Sequence, residues 1–262
     1  MKKAYVDIPE GQVHYKTDGS EENLLLLHQT PMSSDEFTEM IPILAKSCRV
    51  VAMDALGHGS SDDPPREYEI EDFARSVISF LDAIGINKTS IFGHHTGATI
   101  AAEVAAAYPE RVDKLILSGC IVLEPEEWQA FLSQPMTRDL KMTDDGQFLT
   151  KTWEKYKDFS AHEDPELWFK PFIIALKSRT RPYDTHFAVA RYNVKPRLRL
   201  IKSPTLLTSG SEDVFVNQLE STKSLIPRSR TRVIEGGGFF VCFEKPKECA
   251  QAILDFLKNP GV

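Results

Sequence analysis

The sequence lacks any run of about 18 consecutive apolar residues, the length that a transmembrane helix needs. It is also short of positive charge, because 31 lysines and arginines face 38 aspartates and glutamates, which gives a net charge of −7. No basic amphipathic segment interrupts this acidic background. We therefore expect neither nucleic acid nor an anionic membrane surface as a partner.

Cysteine is scarce and has no pattern. The four cysteines, at positions 48, 120, 242 and 249, are spaced neither as a CxxC motif nor as a set of zinc ligands. The lysines at positions 2 and 3 are not followed by an apolar segment, so we expect no signal peptide. These observations predict reduced thiols in a cytoplasmic protein.

The composition of the sequence and its alternation of strand and helix patterns are typical of an α/β protein. Its 262 residues, 42% of them apolar and 26% charged, fit one large domain with an insertion. Short apolar strands alternate with amphipathic helices, which predicts a mostly parallel sheet covered on both faces. The predicted strands are 4–8, 12–17, 24–27, 49–54, 88–92, 112–118, 204–208 and 231–234, of which the first two form an antiparallel hairpin. The predicted helices are 70–84, 96–108, 216–225 and 247–257.

The alternation stops between residues 121 and 196, where helical patterns occur without a strand. This interruption predicts a helical cap over the carboxyl edge of the sheet, the edge at which open α/β sheets bind ligands. Residues 1–120 and 197–262 would then form the core domain, and 121–196 the cap. The three tryptophans, Trp128, Trp153 and Trp168, are expected in the core of the cap. Arg181 and His186 are polar cap residues that face either the pocket or solvent.

Five motifs follow one another in an order that resembles the α/β-hydrolase superfamily. The turn Gly93-His94-His95-Thr96-Gly97 lies between a predicted strand and a predicted helix, as a nucleophile elbow does. The segment 28–31, His-Gln-Thr-Pro, resembles the His-Gly-x-Pro oxyanion segment, and residues 54–61 resemble the Asp-x-x-Gly-x-Gly-x-Ser loop. Residues 208–213 resemble the Gly-x-x-Asp loop that carries the triad acid, and 234–240, followed by Phe-Glu-Lys-Pro at 243–246, resemble the loop that ends in Gly-His.

The chain is thus identified as a member of the α/β-hydrolase superfamily, and the resemblance implies an eight-stranded, mostly parallel sheet flanked by helices. The departures from the superfamily pattern fall on its chemistry. His95 stands at the place of the nucleophilic serine, Phe239 at that of the triad histidine, and Gln29 at that of a glycine. Asp213 is the triad residue that remains, so the resemblance does not imply a serine esterase.

A different pair can take over the chemistry. Because Phe239 leaves the histidine position without an imidazole, the longer side chain of His95 extends toward it, and Asp213 accepts a hydrogen bond from one of its ring nitrogens, directly or through one water. The backbone N–H of Thr96 and an N–H of the segment formed by Gln29 and Thr30 are the expected oxyanion hole. An elbow residue in this fold has a positive φ, which costs a non-glycine residue roughly 1–3 kcal/mol.

Two further histidines, His28 and His94, are placed with Phe239 among the substrate-binding residues, although histidines at such positions also serve as structural hydrogen-bonding groups. A zinc site of His28, His94 and His95 is the alternative for this cluster. Adjacent side chains such as those at 94 and 95 usually point in different directions. We therefore expect no metal and no cofactor.

Two classes of function remain open. The first is an enzyme without a serine nucleophile, acting on a small carbonyl compound through acid–base chemistry at His95 and Asp213, as a hydrolase, lyase or isomerase. The second is a catalytically inactive homologue that binds a small ligand, in which His95 fills space. A covalent histidine nucleophile is disfavoured because no second base is evident. A small molecule is the expected partner, and the protein is expected to be a monomer or a homodimer.

Overall fold

The computed structural model describes residues 1–124, 126, 127, 130, 133, 142–178 and 185–261. Eight strands form one sheet: β1 (Lys2–Ile8), β2 (Gly11–Asp18), β3 (Asn23–Leu27), β4 (Arg49–Met53), β5 (Thr89–His94), β6 (Val112–Ser118), β7 (Thr205–Gly210) and β8 (Ser229–Ile234). Their order across the sheet is β1-β2-β4-β3-β5-β6-β7-β8. The pairs β1–β2 and β2–β4 are antiparallel and all the others are parallel. The predicted hairpin and the mostly parallel sheet are thus confirmed.

Both faces of the sheet are covered, as the continuous apolar strands predict. On β3, Leu25 and Leu27 belong to one buried cluster, whereas Leu24 and Leu26 belong to a second on the opposite face. Successive side chains of a strand point to opposite faces, so a strand that is apolar at every position has to be buried on both. Each face therefore needs its own layer of helices.

The described helices are α1 (Ile41–Leu44), α2 (Ile70–Ala83), α3 (Thr96–Ala107), α4 (Gln147–Phe159), α5 (Pro165–Ser178), α6 (Thr185–Arg191), α7 (Val194–Leu198), α8 (Leu219–Leu225), α9 (Val241–Glu244) and α10 (Pro246–Lys258). A capping box between Glu69 and Asp72 begins α2. Small side chains let α3 lie close to the sheet, since Ala98, Ala101 and Ala102 are fully buried. This close approach matters because α3 starts at the candidate site.

The segment 121–196 contains helices and no strand among its described residues. Its later part packs against helices that cover the sheet, because Val189 of α6 and Val194 of α7 belong to the same buried cluster as residues of α2 and α3. Its earlier helices, α4 and α5, form a separate aromatic cluster around Trp153 and Trp168. Trp128 and Arg181 lie outside the described residues. Among the described residues no helix has the length and apolar character needed to cross a membrane.

The end of strand β5 differs from its predicted position, and this difference affects the candidate site. β5 continues two residues beyond the predicted end at 92, because His94 still pairs with Ser118 of β6. The chain therefore leaves the sheet abruptly at His95, which becomes the first residue of a sharp turn. All four cysteines are buried and none is in a disulfide.

Asp54, directly after β4, is hydrogen-bonded to three separate segments of the chain. Its carboxylate accepts hydrogen bonds from the ring of His14 at 2.8 Å and from the backbone N–H groups of Ser34 at 2.7 Å and Ser60 at 2.8 Å. Burial alone would raise the pKa of Asp54, but the hydrogen bonds of His14 and the other donors lower it far below its ordinary value. The buried carboxylate consequently stabilises the fold only while it is ionised.

We expect Asp54→Asn to lower the free energy of unfolding at pH 7 by about 1–3 kcal/mol, because the amide leaves a buried N–H group without an acceptor. A carboxyl whose pKa is lowered on folding stabilises fully above its unfolded value of 3.8, and this stabilisation is lost as the pH falls below that value. The difference between wild type and variant in urea unfolding should therefore shrink between pH 5 and pH 2. Asp145→Asn, at an exposed carboxyl, is the control, and an equal loss there would contradict the prediction.

Candidate active site

The candidate site lies where the carboxyl ends of the parallel strands meet. Loops that follow β3, β5, β6, β7 and β8 converge at this edge and carry, respectively, Gln29, His95, Gly119, Asp213 and Phe239. Parallel strands deliver their following loops to one side of a sheet, which explains how residues more than a hundred positions apart come together. His95 and Asp213 are 118 residues apart in the chain and in direct contact.

His95 has a strained backbone. Its φ is 47° and its ψ is −108°, and among the described residues it is the one non-glycine residue with a positive φ. Such a conformation costs roughly 1–3 kcal/mol and persists where the surroundings impose it. One such constraint is Gly97, at which a Cβ atom would lie 2.1 Å from the backbone oxygen of Leu27. The tight turn between β5 and α3 directs the ring of His95 toward the loop after β7.

The ring of His95 is hydrogen-bonded directly to Asp213. Its Nε2 lies 2.8 Å from Oδ2 of Asp213, without an intervening water. The other oxygen of Asp213 accepts the backbone N–H of Phe215 at 3.0 Å, which fixes the carboxylate in place. Both partners are buried, since the side chain of His95 is 2% exposed and that of Asp213 is fully covered.

The electrostatics of this pair follow from burial and mutual contact. Burial lowers the pKa of His95 below its ordinary value of 6.5, outweighing the opposite effect of the Asp213 charge. Burial alone would raise the pKa of Asp213, but the charge and hydrogen bond of His95 and the Phe215 amide together lower it. The favoured state at neutral pH is thus a neutral imidazole beside an ionised carboxylate.

The second ring nitrogen of His95 is also occupied. Its Nδ1 lies 3.0 Å from Oε1 of Gln29. The side-chain nitrogen of Gln29 donates to Oε1 of Glu36 at 3.1 Å, and its backbone N–H donates to Oε2 of the same carboxylate at 3.0 Å. Gln29 therefore contacts both His95 and its own loop rather than projecting freely into a pocket.

Glu36 connects the network to His94. Its Oε1 lies 2.5 Å from Nδ1 of His94, and both side chains are fully buried. The thiol of Cys242 lies 3.7 Å from the same nitrogen. Nε2 of His94 is buried and has no hydrogen-bond partner among the described residues. Burial and the neighbouring Cys249 thiol raise the pKa of Cys242, so this thiol stays protonated.

Aromatic rings enclose the remaining sides of His95. The ring of Phe239 lies 4.4 Å from that of His95 and the ring of Phe215 lies 5.2 Å from it in an edge-on arrangement. Phe159 of α4 stacks on Phe239 at 4.9 Å, and Tyr156 stacks on Phe240 at 5.4 Å. Phe239 is thus part of an apolar wall that joins the site to the helices of 121–196.

Gly119, directly after β6, makes room for the pair. Its φ is +58°, and a Cβ atom here would lie 2.2 Å from Cδ2 of His95 and 3.0 Å from Oδ2 of Asp213. A side chain at this position would occupy the space that the imidazole needs. Sequence reasoning missed both Gly119 and Glu36. A glycine directly after a central strand was a usable signal for the first, whereas nothing in the sequence set Glu36 apart.

The remaining predicted site residues take different roles. Thr96 begins α3, so its N–H is among the first amides of a helix, which lack acceptors within the helix. The backbone N–H of Gln29, one of the predicted oxyanion donors, is bound by Glu36. His28 accepts the backbone N–H of Ala55 at 3.0 Å and contacts the oxygen of Gln29 at 2.9 Å. Both its ring nitrogens thus hold the loops together, which is the structural alternative to a substrate-binding role.

Two groups of side chains have the spacing of metal ligands. A ring nitrogen of His94, one of His95 and a carboxylate oxygen of Asp213 lie within 4.8 Å of one another, as do donor atoms of Glu36, His94 and Cys242. The expectation that the rings at 94 and 95 diverge is not met, because their centroids are 4.1 Å apart. His28 belongs to neither group. In each group one pair of ligands is already hydrogen-bonded, Glu36 with His94 in one and Asp213 with His95 in the other.

We accordingly expect protein purified without chelator or affinity tag to contain far less than one equivalent of zinc or another transition metal. The physical reason is that Glu36 and Asp213 are already satisfied by ring N–H groups, so an ion has to displace protons from both contacts. Elemental analysis by mass spectrometry measures this content. One equivalent of metal that disappears in His95→Ala would contradict the prediction.

A cavity of about 330 Å³ is lined by Glu36 but not by His95. Glu36, Glu39, Cys242 and Phe243 line one side of it, and Phe169 and Ile173 of α5 line the other. Its walls are mainly apolar carbon from α5 and acidic groups from the 34–39 segment. Glu36 therefore belongs both to the wall of this cavity and to the hydrogen-bonded chain that ends at His95.

Comparisons with known proteins agree with the architecture. The sequence pattern of the family described as the alpha/beta hydrolase fold matches residues 22–246. The chain is 25% identical over 317 aligned residues to bifunctional epoxide hydrolase 2 of Mus musculus, covering 100% of this chain and 57% of that protein. It is 31% identical over 141 residues to haloalkane dehalogenase of Mesorhizobium japonicum, covering 53% of this chain and 45% of that protein.

A third relative matches over nearly its full length. Pyrrolizixenacetamide deacetylase of Xenorhabdus hominickii is 24% identical over 272 residues, covering 98% of both chains. Among solved structures, an esterase of Thermogutta terrifontis superposes with a TM-score of 0.82 at 19% identity, covering all of both chains. An enol-lactonase of Burkholderia xenovorans superposes with a TM-score of 0.78 at 19% identity, covering 98% of this chain and all of that one. These structural likenesses concern the fold.

Proposed function

This chain belongs to the alpha/beta-hydrolase-fold family, and we propose that it is an enzyme of that family without a serine nucleophile. It acts on a small carbonyl-containing molecule by acid–base chemistry, with His95 as the proton-transferring group and Asp213 as its orienting partner. The observation that carries this proposal is the 2.8 Å hydrogen bond between Nε2 of His95 and Oδ2 of Asp213. A carboxylate in this position fixes the tautomer of an imidazole and increases its basicity.

The strain at His95 supports the same proposal. The elbow presents the imidazole to Asp213 at a positive φ of 47°, and a catalytic side chain is a common reason for such a conformation. The N–H groups of Thr30 and Thr96 are the proposed oxyanion donors, which suit a substrate oxygen that gains negative charge. Relatives named as an epoxide hydrolase and a deacetylase are consistent with small substrates in this fold.

The helical segment 121–196 is proposed to form a cap that covers the bound substrate. Phe159 and Tyr156 of α4 stack on Phe239 and Phe240, so movement of α4 opens or closes the apolar wall beside His95. Substrate entry through this wall would leave the reacting group in a water-poor pocket, where hydrogen bonds and charges act more strongly.

The experiment that tests the proposal is a turnover screen of the purified protein against small esters, lactones, amides and 1,3-dicarbonyl compounds. Products are identified by mass spectrometry, and each active substrate is tested again with the His95→Ala variant. Turnover that depends on His95 supports the enzyme, and the product separates hydrolysis from carbon–carbon cleavage or isomerisation.

A fluorophosphonate probe provides an independent prediction. We expect no labelling of the wild-type protein, because the elbow offers His95 in place of a serine hydroxyl and Phe239 in place of the base that would activate one. Labelling is measured by intact-protein mass spectrometry, with a serine esterase of the same fold as the positive control. Stoichiometric modification of the peptide that contains residues 93–97 would contradict the assignment of the elbow.

The second candidate function is an inactive homologue that binds a small ligand. The observation in its favour is that both ring nitrogens of His95 contact protein groups while the side chain is 2% exposed. A binding protein would retain a co-purifying or added small molecule without converting it. Native mass spectrometry of the purified protein, combined with the turnover screen, separates the two functions.

A further inference from the structure

The carboxamide of Gln29 lies between an anion and an imidazole. Its nitrogen is 3.1 Å from Oε1 of Glu36 and its oxygen is 3.0 Å from Nδ1 of His95. The orientation of a carboxamide follows from its hydrogen-bond partners. Because an ionised carboxylate only accepts hydrogen bonds, Glu36 requires the nitrogen of Gln29 on its own side. The oxygen of Gln29 is thereby directed at His95.

His95 therefore has an acceptor at each ring nitrogen. Oδ2 of Asp213 faces Nε2 and Oε1 of Gln29 faces Nδ1. Both hydrogen bonds exist together only when the ring carries a proton on each nitrogen. In the neutral ring the single proton stays on Nε2, because an ionised carboxylate is the stronger acceptor. The bare Nδ1 then faces an oxygen rather than a donor.

We propose that Glu36 is a positioning residue that holds the oxygen of Gln29 toward Nδ1 of His95, so that the hydrogen-bond network is complete only after Nδ1 has accepted a proton. The inference rests on the proposed acid–base role of His95 and names Nδ1 as the proton-accepting atom. Groups arranged to suit the protonated product of a transfer favour the transfer itself. If Gln29 were free to turn, its NH₂ group would instead donate to Nδ1 and stabilise the neutral ring.

Glu36 is well placed to prevent that rotation. Its carboxylate is held by the backbone N–H of Gln29 at Oε2 and by Nδ1 of His94 at Oε1, and its side chain is fully buried. The charged or titratable groups that face His95 are Asp213 directly, His94 across the ring at 4.1 Å, and Glu36 through Gln29. Asp213 is the hydrogen-bond partner of Nε2, so Glu36 is the residue that determines which group of Gln29 faces Nδ1.

The decisive variant is Glu36→Gln. A carboxamide at this position can accept on one side only, and accepting the backbone N–H of Gln29 leaves its NH₂ group against the Gln29 side chain. Gln29 then turns and donates to Nδ1 of His95. We expect the pKa of His95, measured by ¹⁵N NMR of the imidazole nitrogens in the ligand-free protein, to fall by about one unit or more. The spectrum of His95→Asn identifies the signals of His95.

Two variants at Gln29 give shifts of opposite sign. Gln29→Glu places a charged acceptor at Nδ1 and should raise the measured pKa of His95, whereas Gln29→Met removes the acceptor and should lower it. The matched control is Glu103→Gln, which removes a buried carboxylate of α3 that binds Arg197 of α7, outside this network. The titration of His95 should not move in this control.

An unchanged titration of His95 in a folded Glu36→Gln protein would overturn the proposal. If Glu36→Gln does not fold, the two Gln29 variants decide, and shifts in the same direction would overturn it. All these measurements are made without substrate. If His95 titrates as expected but turnover survives His95→Ala, the proposed function is rejected, and only the positioning of Gln29 by Glu36 is retained. If turnover depends on His95 but its titration is unchanged in Glu36→Gln, the proposed function is retained and this inference is rejected.

Discussion

Replacing His95 with alanine is expected to lower kcat by about 10²–10⁴-fold on any substrate that the turnover screen identifies, the usual contribution of a general acid or base. The ring of His95 is the imidazole that the elbow presents to Asp213, at 2.8 Å. Asp213→Asn should cost somewhat less, because it removes the orienting partner and leaves the imidazole in place. Steady-state kinetics of the three proteins, each checked for folding by circular dichroism, provide the measurement.

The control for these variants is His162→Ala, at a histidine outside the hydrogen-bonded network of the site, which should keep wild-type turnover. Full turnover in His95→Ala would show that the dyad is not the catalytic group. A loss of equal size in His162→Ala would show that the assay reports general damage to the protein rather than chemistry.

The dyad also implies a pH dependence. Burial lowers the pKa of His95 below 6.5, so its neutral form dominates at neutral pH. If Nδ1 of His95 accepts the proton, kcat should be level near pH 7 and should fall as the pH drops through the lowered pKa. The groups that face the ring, Asp213, His94 and Glu36, set the position of this limb, which should move to lower pH in Glu36→Gln.

Replacing Gly119 with alanine is expected to have the largest effect on folding among the site variants. The substitution combines a φ of +58° with a Cβ atom 2.2 Å from Cδ2 of His95. Backbone strain and overpacking contribute roughly 1–3 kcal/mol each, so the free energy of unfolding should fall by about 2–6 kcal/mol. At this chain length that corresponds to a lowering of Tm by roughly 5–15 °C. Any remaining folded protein should also lose turnover, because the imidazole is displaced from Asp213.

Gly85→Ala is the matched control for this variant. Gly85 also has a positive φ, +71°, but a Cβ atom there meets nothing within 4 Å. It reports the backbone strain alone, so it should cost about 1–2 kcal/mol and leave turnover unchanged. Equal losses of stability in the two variants, measured by urea unfolding, would show that the clash with His95 contributes nothing.

The fold was predictable because its signals are local and repeated. A strand such as β3 is apolar at every position, and a helix such as α2 has an apolar stripe, so each element could be assigned without knowledge of its neighbours. The contact between His95 and Asp213 was predictable for a different reason. The motifs place both residues in loops at the same edge of the sheet, and the absence of an imidazole at Phe239 leaves them facing one another.

Glu36 was not predictable in this way. It lies in a short 3₁₀ helix, Ser34–Phe37, with an acidic neighbour at Asp35, and resembles an ordinary exposed charge in the sequence. Its importance arises from burial, since its carboxylate accepts hydrogen bonds from two separate segments of the chain, through Gln29 and His94. The role of Gln29 depended on Glu36 as well. As long as the neighbouring anion is unknown, the sequence is equally compatible with a glutamine that binds a ligand and with one that binds its own loop.

The four buried cysteines give this protein a built-in set of chemical reporters. Cys120 directly follows Gly119, and burial raises the pKa of its thiol to about 12. Such a thiol reacts with an alkylating reagent only during moments when the surrounding structure opens, so its rate of modification measures the free energy of that opening. Cys48 directly precedes β4, at the amino-terminal end of that strand, whereas the site lies at the carboxyl ends of the parallel strands. The ratio of the alkylation rates of Cys120 and Cys48 therefore distinguishes local opening beside His95 from unfolding of the whole domain.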